Sequence, residues 1–382
     1  MTDQSNLFMD LAMPGVRGLR PYQPGKPMAE LEREYGVSDI IKLASNENPL
    51  GPSPKALLAA QVRLAAVNRY PDGNGYSLKE ALAGRHNVDS VCITLGSGSN
   101  EVLDLVARVF LGPGLEAVCS AHAFAIYALV TQAVGARAAV APANSPDHDM
   151  PYGHDLQAML TLINERTRVV FVANPNNPTG TWLGESALEA FLEKVPERVV
   201  VVLDEAYFEY ARDVDCPDAT RWMARFPNLI VTRTFSKAYG LAGFRIGYGL
   251  SHPDVADLLN RVRAPFNTSE VAQAAAVAAL QDENHINETV ALNRTEIRRL
   301  CKGFARLRLS YLPSAGNFVA VSVGPRVEEV NEALLRRGII VRPIAAYGLP
   351  GFLRVTVGLP RENDRLLDAF GDLSMDGLTD RG

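Results

Sequence analysis

Lys237 has the clearest chemical signature in the sequence, because it lies inside the segment Thr234–Tyr248 (TFSKAYGLAGFRIGY). A lysine that binds a carbonyl cofactor covalently needs a phosphate site nearby and glycines that let the backbone approach the ring. Thr234 and Ser236 precede this lysine, and Arg245 follows it after two glycines. The apolar run before it and the nearly uncharged segment after it argue against an ordinary solvated lysine. The segment therefore predicts a pyridoxal-phosphate (PLP) attachment site.

Asp204 and Tyr207 follow a second apolar run, residues 199–203, which is typical of a buried strand. An aspartate there can keep a pyridine nitrogen protonated, which makes the ring an electron sink. The nearby tyrosine can reach the ring hydroxyl. A lone aspartate after a strand can equally be a helix N-cap. Because Asp204 and Lys237 end successive predicted strands, both can face one ligand at the carboxyl edge of an α/β sheet.

Two further segments supply polar groups after predicted strands. Gly96–Glu101 (GSGSNE) opens a helix, where unpaired N–H groups and hydroxyls can form an anion site. A dinucleotide fingerprint requires glycine at the last of these positions, so the segment suits a single phosphate better. An ordinary Gly-Ser turn with a capping serine is the alternative. In Asn174–Gly180 (NPNNPTG), Asn177 can donate to a ring oxygen, although this composition also suits a rigid β-turn.

Two arginines and one aromatic residue complete the candidate site. Arg354 lies among apolar residues of a predicted strand, where it needs a partner such as an anionic substrate group or a structural carboxylate. Arg342 is a second cation of this kind, with a stronger case for a structural role. Phe124 can stack on a cofactor ring or belong to the core. The His/Asp cluster at residues 147–155 matches no common metal spacing, so no metal is predicted.

Composition and charge narrow the possible function classes. The 382 residues are 47% hydrophobic, which is enough for a large core and two subdomains. A net charge of −5 gives no broad attraction to nucleic acid or to a membrane surface. The four cysteines are scattered, as in a reducing cytoplasm, and residues 1–13 match neither a signal nor a transit peptide. No apolar run of about 18 residues predicts a membrane span. We therefore expect a cytoplasmic protein without nucleic-acid or membrane partners.

Short apolar strands alternate with helices from residue 54, which is typical of a three-layer α/β/α domain with a mostly parallel sheet. After residue 252 the pattern changes to charged helices and short strands, which predicts a smaller α+β domain. The Pro-rich first 50 residues predict an arm. The predicted division is an arm at 1–50, a large domain at 51–255 and a small domain at 256–382. Predicted strands cover 91–95, 168–173, 199–203, 229–232, 318–323, 339–342 and 353–357, and predicted helices include 30–36, 100–111, 185–194, 270–280, 288–306, 327–337 and 362–370.

Together these motifs make the chain similar to the fold-type I PLP-dependent aminotransferases over almost its whole length. More narrowly, it resembles the histidinol-phosphate aminotransferases, in four segments: Pro21–Pro27 (PYQPGKP), Lys42–Gly51 (KLASNENPLG), Arg69–Gly73 (RYPDG) and Thr234–Tyr248. The resemblance implies a homodimer with PLP at its active site, and an arm that packs on the small domain and the partner subunit. The implied reaction converts L-histidinol phosphate and 2-oxoglutarate into imidazole acetol phosphate and L-glutamate, in histidine biosynthesis.

The resemblance also implies a role for each matching residue. Lys237 binds the cofactor and carries a proton between the substrate Cα and the cofactor C4′, Asp204 pairs with the pyridine nitrogen, and Phe124 stacks on the ring. Tyr207 and Asn177 hold the ring oxygen. The implied phosphate ligands are Ser97 or Gly98, Ser99, Thr234, Ser236, Arg245 and Tyr70 of the partner subunit, and the implied substrate ligands are Tyr22, Asn46, Arg342 and Arg354.

Other functions of the same fold remain open. An aromatic amino-acid aminotransferase is the main alternative, and Tyr22 and Arg342 favour the phosphorylated substrate over it. A PLP-dependent lyase or decarboxylase is a second alternative. A non-enzymatic regulator with an aminotransferase-like domain would need an added DNA-binding module, and the first 50 residues are too short and too rich in proline to form one.

Overall fold

Sheets of two, three and seven strands organise the computed structural model, which describes residues 7–22, 25–375 and 377 of the chain. The strands in chain order are β1 (Ile41–Lys42), β2 (Ile93–Gly96), β3 (Glu116–Ser120), β4 (Arg137–Ala141), β5 (Thr167–Ala173), β6 (Val200–Asp204), β7 (Leu229–Thr234), β8 (Gly247–Leu250), β9 (Phe318–Ser322), β10 (Ile339–Ile340), β11 (Arg342–Pro343) and β12 (Phe352–Thr356).

The seven-stranded sheet has the order β2-β8-β7-β6-β5-β3-β4, and it is parallel except at β8, which runs antiparallel to both of its neighbours. The inner strands β5, β6 and β7 are rich in valine and are almost wholly buried, as strands covered on both faces should be. Alternate residues of β6 enter different cores: Val201 and Leu203 enter one, and Val200 and Val202 the other. The sheet is therefore the middle layer of the predicted α/β/α sandwich.

Helices cover both faces of this sheet and build the smaller unit. Several begin with a side-chain cap, in which Ser53, Asp155 or Ser269 accepts a hydrogen bond from a first-turn N–H. No helix of the described residues is long and apolar enough to cross a membrane. The helices in chain order are α1 (Leu7–Leu11), α2 (Pro14–Arg17), α3 (Met28–Tyr35), α4 (Pro54–Leu64), α5 (Tyr76–His86), α6 (Ser99–Phe110), α7 (Ile126–Ala133), α8 (Leu156–Leu162), α9 (Glu185–Lys194), α10 (Pro253–Val262), α11 (Glu270–Leu280), α12 (Glu283–Arg306), α13 (Val327–Arg336) and α14 (Pro360–Met375).

A second core lies between the sheet β11-β12-β9 and the helices α12, α13 and α14. Leu300 and Phe304 of α12 and Phe370 of α14 are fully buried there. β1 pairs in parallel with β10, and Ile41 and Leu43 enter the same core. The segment before residue 50 is thus tied to the small unit, and that unit has the predicted α+β character.

The predicted elements are confirmed where the apolar pattern is strong, and α9 and α11 have the predicted bounds. The predicted strand 339–342 is instead two strands, β10 and β11, which pair with β1 and β12 respectively. The domain boundaries at 50 and 255 stay predictions. Ala272, Ala275 and Ala279 of α11 belong to the core beside the large sheet, which argues for placing the second boundary later, inside α12.

Candidate active site

A cavity of about 290 Å³ lies at the carboxyl edge of the seven-stranded sheet. Segments that follow β2, β3, β5, β6 and β7 supply most of its walls, and β11 and β12 of the small unit close it. Of the predicted site residues, Ser97 and Tyr70 lie outside its lining. Those that line it are Tyr22, Asn46, Gly98, Ser99, Phe124, Asn177, Asp204, Tyr207, Thr234, Ser236, Lys237, Arg245, Arg342 and Arg354.

The amine of Lys237 faces this cavity just after β7. Its Nζ donates a hydrogen bond of 3.0 Å to the backbone carbonyl of Ser45. Burial, with a smaller contribution from the Arg354 guanidinium, lowers the pKa of Lys237 to about 8, and the carboxylate of Glu47 acts in the opposite direction. A lysine with this pKa is partly neutral near physiological pH. Only the neutral amine can act as a nucleophile or a base, so the cavity prepares Lys237 for both.

Asp204 is the last residue of β6, and it is 5% exposed. Its Oδ2 accepts a hydrogen bond of 2.9 Å from the Tyr127 hydroxyl, and its Oδ1 accepts one of 3.1 Å from the Thr232 hydroxyl. Burial raises the pKa of Asp204 above its usual value, and these two donors, the Ala206 backbone N–H and the nearby Lys237 oppose this rise only in part. Both oxygens are therefore fixed, and the donors favour the ionised form that a ring-nitrogen partner requires.

Tyr207 carries a hydroxyl that stays protonated at neutral pH. Burial raises the pKa of Tyr207 to about 12, and its oxygen accepts a hydrogen bond of 2.8 Å from Nδ2 of Asn46. Asn46 has a positive φ of 55°, and its backbone N–H donates to the Thr356 hydroxyl of β12 at 2.9 Å. The small unit thus places Asn46, and Asn46 places the phenol. The proton of Tyr207 remains available for an oxygen acceptor in the cavity.

The residues around Gly98 form a cradle for a phosphate. Gly98 has a φ of 77°, and a Cβ added there would come within 2.6 Å of Nη2 of Arg245, so a larger residue would fill the space. Ser99 begins α6, whose first N–H groups have no partner within the helix. Arg245 approaches the Ser236 hydroxyl and the Ser97 carbonyl at 3.4 Å each. A guanidinium, hydroxyls and a helix N-terminus are the donor set that a phosphate monoester needs.

Arg354 of β12 lines the cavity, and no carboxylate is among its hydrogen-bond partners in the described chain. Its Nη1 donates to Oδ1 of Asn177, and its Nη2 donates to the Ala44 carbonyl, both at 2.6 Å. Its Nε is buried and has no hydrogen-bond partner among the residues that the structure describes. Arg342 pairs with Arg354 across β11 and β12, and its guanidinium lies 5.9 Å from the ring of Tyr22. Two adjacent cations with an unsatisfied donor favour an anionic ligand.

Tyr70 and Phe124 differ in where they lie. Phe124 lines the cavity after β3, as a ring-stacking residue should. Tyr70 is 82% exposed and stacks on Phe266, with ring centroids 4.6 Å apart. This position is compatible with a reach toward a second subunit. The individual roles of the site residues stay predictions, although the fold brings all but Ser97 and Tyr70 to the lining of one cavity.

Three contacts in this site are not evident from the amino-acid sequence. Ser45 contributes a backbone carbonyl, which no side-chain pattern can reveal. Thr232 looks like an ordinary strand residue, and its link to Asp204 depends on the register of β6 and β7. Tyr127 lies 77 positions before its partner and resembles a core residue of an apolar helix. The sequence signal that could have indicated these contacts is a hydroxyl side chain placed next to a position that faces the predicted cavity.

Comparison with known proteins agrees with this geometry. The model of the family described as aminotransferase class I and II matches residues 38–370. Histidinol-phosphate aminotransferase 2 of Pseudomonas aeruginosa is 57% identical over 366 residues, which cover 95% of this chain and 98% of that protein. Histidinol-phosphate aminotransferase 1 of Nitrosococcus oceani is 53% identical over 362 residues, with 95% and 96% covered.

Solved structures show the same similarity. The crystal structure of histidinol-phosphate aminotransferase from Sinorhizobium meliloti, in complex with pyridoxal-5'-phosphate, has a TM-score of 0.87 and 31% identity. The match covers 96% of this chain and 98% of that one. Aspartate aminotransferase from Thermus thermophilus with maleate, at 20% identity and a TM-score of 0.82, supports the fold alone. The fold is thus that of the fold-type I enzymes, and the chain belongs to the class I and II aminotransferase family, within the group of the histidinol-phosphate aminotransferases.

Proposed function

We propose that this protein is a PLP-dependent transaminase of histidine biosynthesis. It transfers the amino group of L-histidinol phosphate to 2-oxoglutarate, which gives imidazole acetol phosphate and L-glutamate. The observation that carries the proposal is that one cavity is lined by a lysine with a lowered pKa, a buried aspartate and a pair of arginines. The lysine and the aspartate suit the cofactor, and the arginines suit a substrate with an anionic end.

The described residues fit PLP at three points. Arg245, Ser99 and Ser236 suit its phosphate, Asp204 suits its ring nitrogen, and Tyr207 with Nδ2 of Asn177 suits its ring oxygen. When bound, PLP supplies an electron sink for the bond that breaks at the substrate Cα. Asp204 holds a positive charge at the ring nitrogen. Lys237, with its pKa near 8, takes the Cα proton and returns it to the cofactor C4′.

The substrate site has to accept two different anions in turn. Histidinol phosphate brings a phosphate monoester, and glutamate brings a second carboxylate to the same end of the cavity. Arg354 has fixed hydrogen bonds to Asn177 and Ala44 and an unsatisfied Nε. Arg342 and Tyr22 lie beside it. Guanidinium groups bind both phosphate and carboxylate in a bidentate manner, so one arginine pair can serve both half-reactions.

The deciding experiment compares kcat/KM for histidinol phosphate and for phenylalanine, each with 2-oxoglutarate. We expect at least about a hundredfold preference for the phosphate, because phenylalanine leaves a buried guanidinium without its anion. Arg354→Gln should remove most of that preference, and Arg298→Gln on the exposed face of α12 should leave it unchanged. A preference of the wild-type protein for phenylalanine would instead make it an aromatic aminotransferase.

A homodimer in the cytoplasm is part of the proposal. α4 exposes Leu58 and Val62, which are 62% and 67% accessible, and Val67 and Tyr70 continue this apolar surface. An apolar surface of this kind on one face is typical of a subunit interface. A second copy placed there would bring Tyr70 of the partner subunit toward the phosphate cradle. The four cysteines carry free thiols, which suits a reducing compartment.

A further inference from the structure

Tyr127 is buried beside the candidate ring site, and the proposed chemistry assigns it no part. It lies in the first turn of α7, is 1% exposed and contributes to the wall of the cavity. Burial and the neighbouring Asp204 carboxylate raise the pKa of Tyr127 well above its usual range. Its hydroxyl therefore keeps its proton at any working pH. Among the described residues, this hydroxyl donates its hydrogen bond to Oδ2 of Asp204, at 2.9 Å.

The hydrogen bonds from Tyr127 and Thr232 reach different oxygens of the Asp204 carboxylate. Thr232 donates to Oδ1 from β7, the neighbouring strand, where it is the register partner of Asp204. Tyr127 donates to Oδ2 from the helix layer above the sheet. The backbone N–H of Ala206 also bonds to this carboxylate, and the two side-chain donors on different oxygens limit the rotation of the carboxylate plane. The direction in which Asp204 presents its remaining lone pairs to the cavity thus depends on both.

The ring of Tyr127 is held as firmly as its hydroxyl. It stacks on Phe171 of β5, with centroids 5.0 Å apart and an interplanar angle of 2°. The same ring meets Phe124 edge to face, with centroids 5.9 Å apart and an angle of 87°. Phe124 lines the cavity on the side where a ring could stack. One side chain therefore contacts both the aromatic wall and the acidic partner of the proposed cofactor ring.

We infer that Tyr127 is a positioning residue, which orients the Asp204 carboxylate toward the ring nitrogen of the cofactor and holds Phe124 against the ring face. The inference rests on the proposed function, since it concerns residues that contact PLP. Tyr127 does not contact the anionic end of the substrate site, which is formed by Arg342 and Arg354. Removal of the Tyr127 hydroxyl should therefore weaken cofactor binding and slow the chemical step, and it should leave substrate affinity unchanged.

The test is Tyr127→Phe, which removes the hydroxyl and keeps the stacked ring. The dissociation constant of PLP, measured by fluorescence titration of the apoprotein, should rise about tenfold, as for the loss of a hydrogen bond to a charged group. The kcat should fall by a similar factor while KM for histidinol phosphate stays constant. Thr232→Val removes the second donor and should change PLP affinity in the same direction, which provides an independent variant if the first is poorly folded.

The matched control is Tyr248→Phe. Tyr248 is also 2% exposed or less, and its hydroxyl has a hydrogen bond of 2.9 Å to Nε2 of His86, away from the cavity. It should lose thermal stability to a similar extent as Tyr127→Phe, with no change in PLP affinity or kcat. If the two variants behave alike, the Tyr127 hydroxyl has only a structural role and the inference is wrong.

A double-mutant cycle separates positioning from packing. In an Asp204→Asn background, Tyr127→Phe should cost little further PLP affinity, because the carboxylate that it orients is gone. An equal loss in both backgrounds would overturn the inference. The wild-type protein tests the proposed function separately: if it binds no PLP, that function fails, whereas PLP binding with an unaltered Tyr127→Phe variant refutes the positioning role alone.

Discussion

The environment of Lys237 determines when its amine becomes reactive. Its usual pKa of 10.5 would leave very little neutral amine near pH 7, and burial with the Arg354 charge brings the value to about 8. Both causes act on the charged form, because the cavity withholds water from the ammonium and adds a like charge nearby. The hydrogen bond to the Ser45 carbonyl orients the side chain. A ligand with a reactive aldehyde meets a lysine that is already placed and partly deprotonated.

The rate of covalent PLP attachment to the apoprotein should therefore rise with pH through a midpoint near 8. Below the midpoint the amine is protonated and cannot attack, and above it the neutral form dominates. Arg354→Gln should move the midpoint upward, because it removes a positive charge that disfavours the ammonium. Stopped-flow absorbance across a pH series measures the midpoint in the wild-type protein and in Arg354→Gln. A midpoint close to 10.5 in the wild-type protein would contradict the assigned environment.

Asp204→Asn should lower kcat by about 100- to 1000-fold and still allow PLP to attach to Lys237. The asparagine keeps the shape of the side chain and can accept from Tyr127, but it has no charge with which to hold a protonated ring nitrogen. Steady-state kinetics and the absorbance of the purified protein check the two parts. The control is Asp282→Asn, a buried aspartate bonded to Ser53 outside the cavity, which should lose stability and retain kcat. Equal kcat in wild type and Asp204→Asn would remove the electron-sink role.

At the scale of elements, the contact between β8 and the start of α6 fixes the phosphate cradle. A Cβ at Gly247 would lie 2.4 Å from the Ser99 nitrogen and 2.7 Å from the Gly98 carbonyl carbon. These are backbone atoms, so they cannot rotate away as a side chain could. The glycine lets β8 pass close beneath the helix N-terminus. This close approach gives the Gly-rich segment after Lys237 a structural purpose as well as a chemical one.

Gly247→Ala should lower the free energy of unfolding by about 1–3 kcal/mol and weaken PLP binding, because the added methyl group pushes the N-terminus of α6 out of place. Gly84→Ala is the matched control: Gly84 is exposed in α5, and an added Cβ meets nothing within 4 Å. That variant should gain about 0.5–1 kcal/mol from helix propensity. Denaturant unfolding and PLP titration measure both variants. Unchanged PLP affinity in Gly247→Ala would show that the cradle tolerates displacement.

The sequence predicts elements well where one physical signal dominates. The valine-rich strands β5, β6 and β7 are apolar on both faces. Their existence, and the place where each one ends, could therefore be inferred from the sequence. Strands β3 and β4 lie outside the predictions because small and charged residues weaken their pattern, and they gain their stability from pairing. β8 contains two glycines and pairs antiparallel on both sides, which no local preference indicates.

A residue of the candidate site could be predicted from the sequence where it lies at the end of a strand or belongs to a recognisable motif. Asp204, Lys237 and Asn177 meet these conditions, and they line one cavity. The bonds that set their direction, from Tyr127 and from the Ser45 carbonyl, depend on distances between segments far apart in the sequence. The same limit holds for Arg354, whose lack of a carboxylate partner among the described residues could be seen only after folding.

At the scale of the whole molecule, the proposed function assigns Tyr70 to the phosphate site of a second copy of the chain. Tyr70 lies on the surface against Phe266 and outside the cavity of its own chain. The exposed side chains of Leu58 and Val62 on α4 form part of the same surface. If two copies associate through this surface, each tyrosine serves the active site of the other copy. This arrangement predicts how much activity a mixture of two inactive variants should recover.

Lys237→Ala and Tyr70→Ala should each be nearly inactive at limiting PLP, and together they should restore activity. In a mixed dimer one site carries both substitutions, and the other has Lys237 from one chain and Tyr70 of the partner subunit. Random exchange of equal amounts makes half of the dimers mixed, so about one quarter of all sites are intact. Chains that are refolded or expressed together should therefore reach about 25% of wild-type activity, because about one quarter of their sites are intact. Activity no higher than the average of the two variants would place Tyr70 in its own site or in none. Lys237→Ala mixed with Asp204→Asn is the negative control, because each substitution disables the site of its own chain and a mixed dimer therefore contains no intact site.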